Sequence, residues 1–193
     1  NGTCLMMPIE ISCDLGEAAT SEELATEREL WPLIDAANLA CGGHTGDDAS
    51  MRASVALAVQ HGVRLGAHPS FPDREGFGRR RIEISDKALV ASLIEQLRSL
   101  RAIASSGGLP LERVKAHGAL YNFAHRDEEL ARLLVNAVID AAPGAAIVCP
   151  TGSAMERAAI ERSLPVVREA FADRRYLSDG SLVPRGAAQA LLI

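Results

Sequence analysis

Cysteine is scarce in this 193-residue chain, and none of its four cysteines (Cys4, Cys13, Cys41, Cys149) forms a C-x-x-C pair. Nothing therefore reads as a paired-thiol motif. Three of the four fall in segments that read as strands, where a free thiol packs as a small apolar group. That usage suits a reducing, cytoplasmic setting, although Cys41 also has to be weighed as a nucleophile. No apolar run approaches the ~20 residues of a membrane-spanning helix. Net charge is −5 and the densest basic run is only Arg79-Arg80-Arg81, so no nucleic-acid surface is expected. G-x-G-x-x-G and G-x-x-x-x-G-K-[ST] are both missing, so this chain carries no sign of its own nucleotide site. There is no internal repeat and no low-complexity linker, and residues 1–193 are read as one domain. The opening Leu5-Met-Met-Pro8 is too short for a signal sequence, and Met6 or Met7 is the expected native start.

What is present is alternation. Short apolar segments at 9–13, 34–41, 63–67, 113–117, 145–149 and 166–171 read as strands. Between them lie helical patterns. Residues 48–60 follow the cap candidates Asp47 and Asp48 and stop at Gly62. Residues 86–105 follow Ser85 and set Leu89, Leu93, Leu97 and Leu100 on one stripe. Residues 127–140 set Leu130, Leu133, Leu134, Ala137 and Val138 at the spacing of a single buried face. A shorter helix is expected at 153–162. Repeated strand–helix units imply a mainly parallel sheet. Polar groups end at least five of the strands, which favours a (β/α) barrel over a doubly wound layer with one switch point.

The strand ends carry the chemistry. Glu10-Ile-Ser-Cys-Asp14-Leu-Gly-Glu17 ends in carboxylates suited to a base, a metal ligand or a helix cap. Asn38-Leu-Ala-Cys-Gly-Gly-His44 puts a histidine on a glycine-rich turn, with Asp47 beyond it as either ligand contact or cap. His68 precedes Pro69, which holds it extended. Lys115 and His117 are two apart, so on a strand both face one side; buried together without a task they would be costly. Asp73, Arg74 and Arg79 sit on the glycine-bearing loop 71–81, and Asp173, Arg174 and Arg185 follow the last strand. Arginines on such loops suit a carboxylate or phosphate. Arg80, Arg81 and Arg175 are read as solvated charge, and His61 and His125 as surface residues.

Taken in order, these segments resemble the LamB/YcsF family. The matching stretches are Cys13-Asp14-Leu-Gly-Glu17, Ala37-Asn38-Leu-Ala-Cys-Gly42 with His44 and Gly46-Asp47, and Gly66-Ala-His-Pro-Ser70. They continue through Pro72-Asp73-Arg-Glu-Gly-Phe-Gly-Arg-Arg80, Lys115 with His117-Gly-Ala-Leu-Tyr-Asn122, Glu169-Ala-Phe-Ala-Asp-Arg174 with Tyr176, and Leu182-Val-Pro-Arg185.

The resemblance implies a seven-stranded (β/α) barrel of the glycoside hydrolase/deacetylase type. It also implies ATP-dependent opening of the 5-oxoproline lactam to L-glutamate, in a complex with two partner subunits that handle ATP. Asp14, His68, Lys115 and His117 are then the expected catalytic set. Glu17, Asn38, His44, Asp47, Asp73, Arg74, Arg79, Asn122, Asp173 and Arg174 are the expected substrate contacts. Ser12, Gly43 and Ala116 depart from the residues usual at their positions. The family normally continues through another strand, so the barrel is expected to lack its C-terminal part.

Two other readings stay open. Asp14, His44 and His68 form an Asp/His/His set of the kind that binds a divalent cation with an open position. That would suit a stand-alone metal-dependent amidohydrolase or deacetylase. A non-catalytic scaffold that organises partner subunits is the third.

Overall fold

The backbone first joins the sheet at Ile11, whose carbonyl accepts from Asp35 N at 2.8 Å and Ala36 N at 3.2 Å. From there the computed structural model, which describes residues 9–184 and 186–192, alternates strand and helix. The strands are β1 (Ser12–Leu15), β2 (Ala36–Ala40), β3 (Arg64–His68), β4 (Arg113–Lys115), β5 (Ala146–Pro150) and β6 (Val166–Glu169). They form one parallel sheet in the order β1-β2-β3-β4-β5-β6. The helices are α1 (Ser21–Leu30), α2 (Asp48–His61), α3 (Asp86–Ser106), α4 (Gly118–Ala124), α5 (Glu128–Ala141) and α6 (Ala154–Glu161).

Local chemistry explains most boundaries. Asp47 caps α2, sharing a reciprocal box with Ser50, and Gly62 ends it in the left-handed region. Ser85, Asp127 and Ser153 cap α3, α5 and α6 through their side-chain oxygens. The leucine stripe of α3 and the Leu130–Val138 face of α5 are buried as the periodicity requires, with Leu133 only half-buried at its edge. The first strand begins later than expected. Ile9 and Ile11 are exposed; the Ile11 carbonyl makes the first bonds to β2, and residue-by-residue register runs from Ser12 opposite Ala36 to Leu15 opposite Leu39.

Along β1, Cys13 and Leu15 pack outward toward the helices, while Asp14 looks inward. Curvature follows from what Asp14 reaches. In a flat sheet β1 and β4 would lie roughly 14 Å apart, at about 4.8 Å per strand. Yet Asp14 Oδ1 and Lys115 Nζ on β4 are 3.1 Å apart, and the same ammonium is 3.1 Å from Glu169 Oε2 at the end of β6. Glu10 likewise crosses to Arg113 at 2.9 Å and to Arg64 at 2.6 Å. Contacts between the first strand and the fourth and sixth require the sheet to curl into a half-barrel. Its interior holds an ion cluster beside the strand beginnings and a second one at the strand ends. Among the described residues no helix is long and apolar enough to cross a membrane.

Candidate active site

The site forms where β1 to β4 release their chains at the carboxyl ends. β3 delivers His68 as its last residue, and β4 delivers Lys115 as its last. His117 lies past the end of β4, as the N-cap of α4, rather than within the strand. The loop after β2 supplies His44, and the turn after β1 supplies Glu17.

Lys115 is buried against two carboxylates, Asp14 and Glu169, and stands over the Phe171 ring at 4.7 Å. Burial alone would lower its pKa, but Asp14 and Glu169 outweigh that and hold it above the usual lysine value. It is therefore an ammonium, not a base. Asp14 also accepts from Asn38 Nδ2 at 3.0 Å. Burial would raise the Asp14 carboxyl, but the neighbouring His68 and Lys115 and the Asn38 hydrogen bond together take it below its usual value.

Beside this pair lie three histidines. His44 and His117 stack face to face, with centroids 3.7 Å apart and planes 3° from parallel. His68 stands edge-on to both. His68 Nδ1 donates to the Lys115 carbonyl at 2.7 Å, and His117 Nε2 donates to the Phe77 carbonyl at 2.9 Å. The remaining nitrogens, His68 Nε2 and His117 Nδ1, meet at 3.0 Å. Glu17 Oε1 is the hub: 2.9 Å from His44 Nε2, 3.3 Å from His117 Nδ1 and 3.7 Å from His68 Nε2. Burial pushes the His68 imidazole down to about 4, so it is neutral near pH 7. Burial likewise lowers His44, and its hydrogen bond to Glu17 only partly opposes this. For Glu17, burial raises the carboxyl, but His117 and His44 overcome it and carry it far below the usual range. The Asp14 and Glu17 side chains stay 30% and 22% exposed, so the cluster is reached from solvent on its carboxylate side.

The loop that covers His117 is held by strain and by glycine. Phe77 has φ 53, a costly value for an aromatic residue, and this turns its carbonyl onto His117. Gly78 (φ 61) lies against His44 and His117, and Gly118 (φ 55) lies under the Gly78 carbonyl. A Cβ at Gly118 would stand 2.6 Å from that oxygen, so only glycine fits.

The structure thus brings Asp14, His68, Lys115 and His117 together as expected, with Glu17, Asn38 and His44 among them. The other expected contacts are engaged elsewhere or stand outside. Asp47 is occupied as the cap of α2. Asp73 accepts from Gly76 N and pairs with Arg80 at 2.6 Å, which makes Arg80 a turn partner rather than free charge. Arg74 donates to the Gly46 carbonyl, and Arg79 lies over Phe77 at 4.9 Å. Asn122 and Asp173 are exposed. Arg174 is buried and donates to the Val183 carbonyl at 2.7 Å. Arg185 and Cys4 lie outside the described residues. The metal-ligating atoms that converge are those of Glu17, His68 and His117, sharing only His68 with the Asp14, His44, His68 set. Cys41 is fully buried and its thiol is pushed up to about 12, which removes it as a nucleophile.

Two neighbours escaped the sequence reading. Glu169 completes the Lys115 clamp. Tyr121 is buried on α4, and burial with the nearby Glu169 carboxylate raises its phenol well above its usual value. Both sit in the stretches that carry the family resemblance, which was the only signal for them. Gly43 is buried, and a Cβ there would meet Gln96 Oε1 and Ser70 Oγ at 2.4 Å. Gln96 fills that space, accepting from Ser70 N at 3.0 Å and donating to Ser70 O at 3.0 Å, which steadies the turn after His68.

Comparison with known proteins places the chain among relatives over most of its length. The family model described as the LamB/YcsF family matches residues 9–193. The A subunit of 5-oxoprolinase from Symbiobacterium thermophilum is 42% identical over 184 residues, covering 95% of this chain and 70% of the relative. Its counterpart from Bordetella pertussis is 41% identical over 184 residues, covering 95% and 73%. The crystal structure of a lactam utilization protein from Thermus thermophilus superposes with a TM-score of 0.88 at 41% identity. It shares 97% of this chain and 76% of that one.

Proposed function

The chain belongs to the LamB/YcsF family, and from that premise we propose that it is the lactam-opening A subunit of a 5-oxoprolinase. Its substrate is 5-oxo-L-proline and its product L-glutamate. The relatives are named as subunits of such an enzyme, and the site has the two tools the reaction needs. The observation that carries the reading is the buried Lys115 ammonium beside the neutral His68 imidazole and its His117 and Glu17 neighbours, on neighbouring strand ends.

The bonds change as follows. Water oxygen attacks the ring carbonyl carbon, the ring C–N bond breaks, and the freed nitrogen takes up a proton. Negative charge on the phosphorylated carbonyl oxygen is met by Lys115. Asp14 and Glu169 hold that ammonium in place and charged. Water gives up its proton toward the lone pairs of His68, His117 and Glu17, with His117 as the base and Asp14 as a substrate contact. Asn38 holds Asp14, and His44 holds Glu17. An amide is a poor electrophile, and phosphorylating its oxygen activates the ring carbon. Once water has added and the C–N bond has broken, that carbon carries a γ-glutamyl phosphate, and a second water releases inorganic phosphate to leave L-glutamate. We assign ATP, and that phosphorylation, to two partner subunits. A cytoplasmic location suits the free thiols of Cys13, Cys41 and Cys149.

The test is glutamate release from 5-oxoproline and ATP, using this chain with and without its partner subunits. Glutamate should appear only with all components present. Equal release without this chain would overturn the reading. If Lys115→Ala and His117→Ala leave the assembled activity intact, the chain is a scaffold.

A further inference from the structure

His68 and His117 face each other in a way that neutral rings do not tolerate alone. Each outer nitrogen points at a backbone carbonyl, Lys115 O at 2.7 Å and Phe77 O at 2.9 Å. A carbonyl only accepts, so each outer nitrogen carries its ring's hydrogen. The inner nitrogens are then lone pairs, and they lie 3.0 Å apart in a buried place. Glu17 Oε1, another acceptor, closes the triangle at 3.3 and 3.7 Å. His44 Nε2–H donates to that same oxygen and fixes it. Three electron-pair donors converge, and none of the three groups has a hydrogen left to place between them.

We propose that this triangle holds a divalent cation of the zinc class, bound by Glu17 Oε1, His68 Nε2 and His117 Nδ1. A triangle with these edges has a point about 2 Å from every corner, and zinc bonds to nitrogen and oxygen at about 2.0–2.2 Å. Histidines that bind metals are oriented through their other nitrogen by a carbonyl or carboxylate, as both are here. Two imidazoles favour zinc-like ions over magnesium or calcium. Three protein ligands leave a position for water or substrate, and Asp14 Oδ2, 3.4 Å from His68 Nε2, is the nearest further donor. The ion can enter past the partly exposed carboxylates of Asp14 and Glu17. The rival occupant is a single shared proton. The cation assignment rests on the donor triangle and not on the lactam reading; with an ion in place the His117 Nδ1 lone pair is taken, and the base role would pass to Asp14.

The experiment measures binding, so a failed activity assay cannot be mistaken for a failed site. Untagged full chain is stripped with chelator and then titrated with Zn²⁺ and Co²⁺, following Co²⁺ by its visible absorption. One ion per chain is expected, with affinity reduced about 100-fold or more in His68→Gln and in His117→Gln. His125→Ala, away from the triangle, should bind as the wild type does. Circular dichroism shows which variants fold; if the histidine variants do not, Glu17→Gln supplies the same comparison, with the same loss expected. Binding below about 0.2 ion per wild-type chain at ~10 μM free Zn²⁺ overturns the proposal in favour of the shared proton. So does undiminished affinity in the folded ligand variants.

Discussion

At Lys115, a cation is held where its charge has few alternatives. Its ammonium has two carboxylate partners and an aromatic face, all in a buried setting. Lys115→Met keeps the length and removes the charge. Turnover in the assembled enzyme should fall by about 10²- to 10³-fold, as when a donor aimed at developing charge is deleted. Stability should fall as well, by about 3–5 kcal/mol, because Asp14 and Glu169 then lose their shared counter-charge. Urea midpoints and steady-state rates separate the two effects. His117→Gln preserves size but removes the inner nitrogen lone pair. It should lower turnover by about 10²-fold or more with little change in the urea midpoint. Near-normal turnover would move the role to Asp14. Individual residues were legible to different depths. Asp14, His68, Lys115 and His117 stood out because each closes an apolar strand. Glu17 and His44 were visible as polar groups, but their mutual bond spans 27 positions and depends on where two separate turns land. Asp47 and Asp73 had the right residue type for ligand contact, yet capping and turn hydrogen bonds claimed them.

Among elements, α3 and α5 were readable because a long apolar stripe repeats at helical spacing. α1 was not, because none of its ten residues is buried, and its one clear mark is the Thr20/Glu23 capping box. α4 was missed for its length of seven residues and for beginning at a glycine. That glycine, Gly118, links an element to the chemistry. Its positive φ and its close approach to the Gly78 carbonyl leave no room for a methyl group. Gly118→Ala should cost about 2–3 kcal/mol, seen as a lower urea midpoint at unchanged slope. It should also loosen loop 76–80, and with it the Phe77 carbonyl that orients His117. Turnover should therefore drop more than the loss of folded protein accounts for. An alanine variant with wild-type midpoint and rate would show that the loop is not seated as described.

Over the whole molecule, a mainly parallel sheet with alternating helices followed from pattern, and polar groups at the strand ends pointed to a barrel. The strand order and the contacts that curve the sheet, such as Glu10 with Arg113, 103 residues apart, did not. That cluster sets an acid-stability expectation. Burial would raise the Glu10 carboxyl, but Arg113 and Arg64 reverse this and leave it below its usual value. A carboxyl lowered by folding contributes stability that is present above its unfolded pKa, about 4.3, and lost as pH falls through the folded one. Glu10→Gln should therefore be less stable than wild type at pH 7, with the gap closing below about pH 4. A gap that widens in acid would reverse the assignment. At the opposite end of the strands, Lys115 bonds Asp14 of β1 and Glu169 of β6, the first and last members of the sheet order. The candidate site is thus also a latch across the seam of the half-barrel. On the proposed reading, a substrate that draws charge from this lysine would loosen its hold on both outer strands at once.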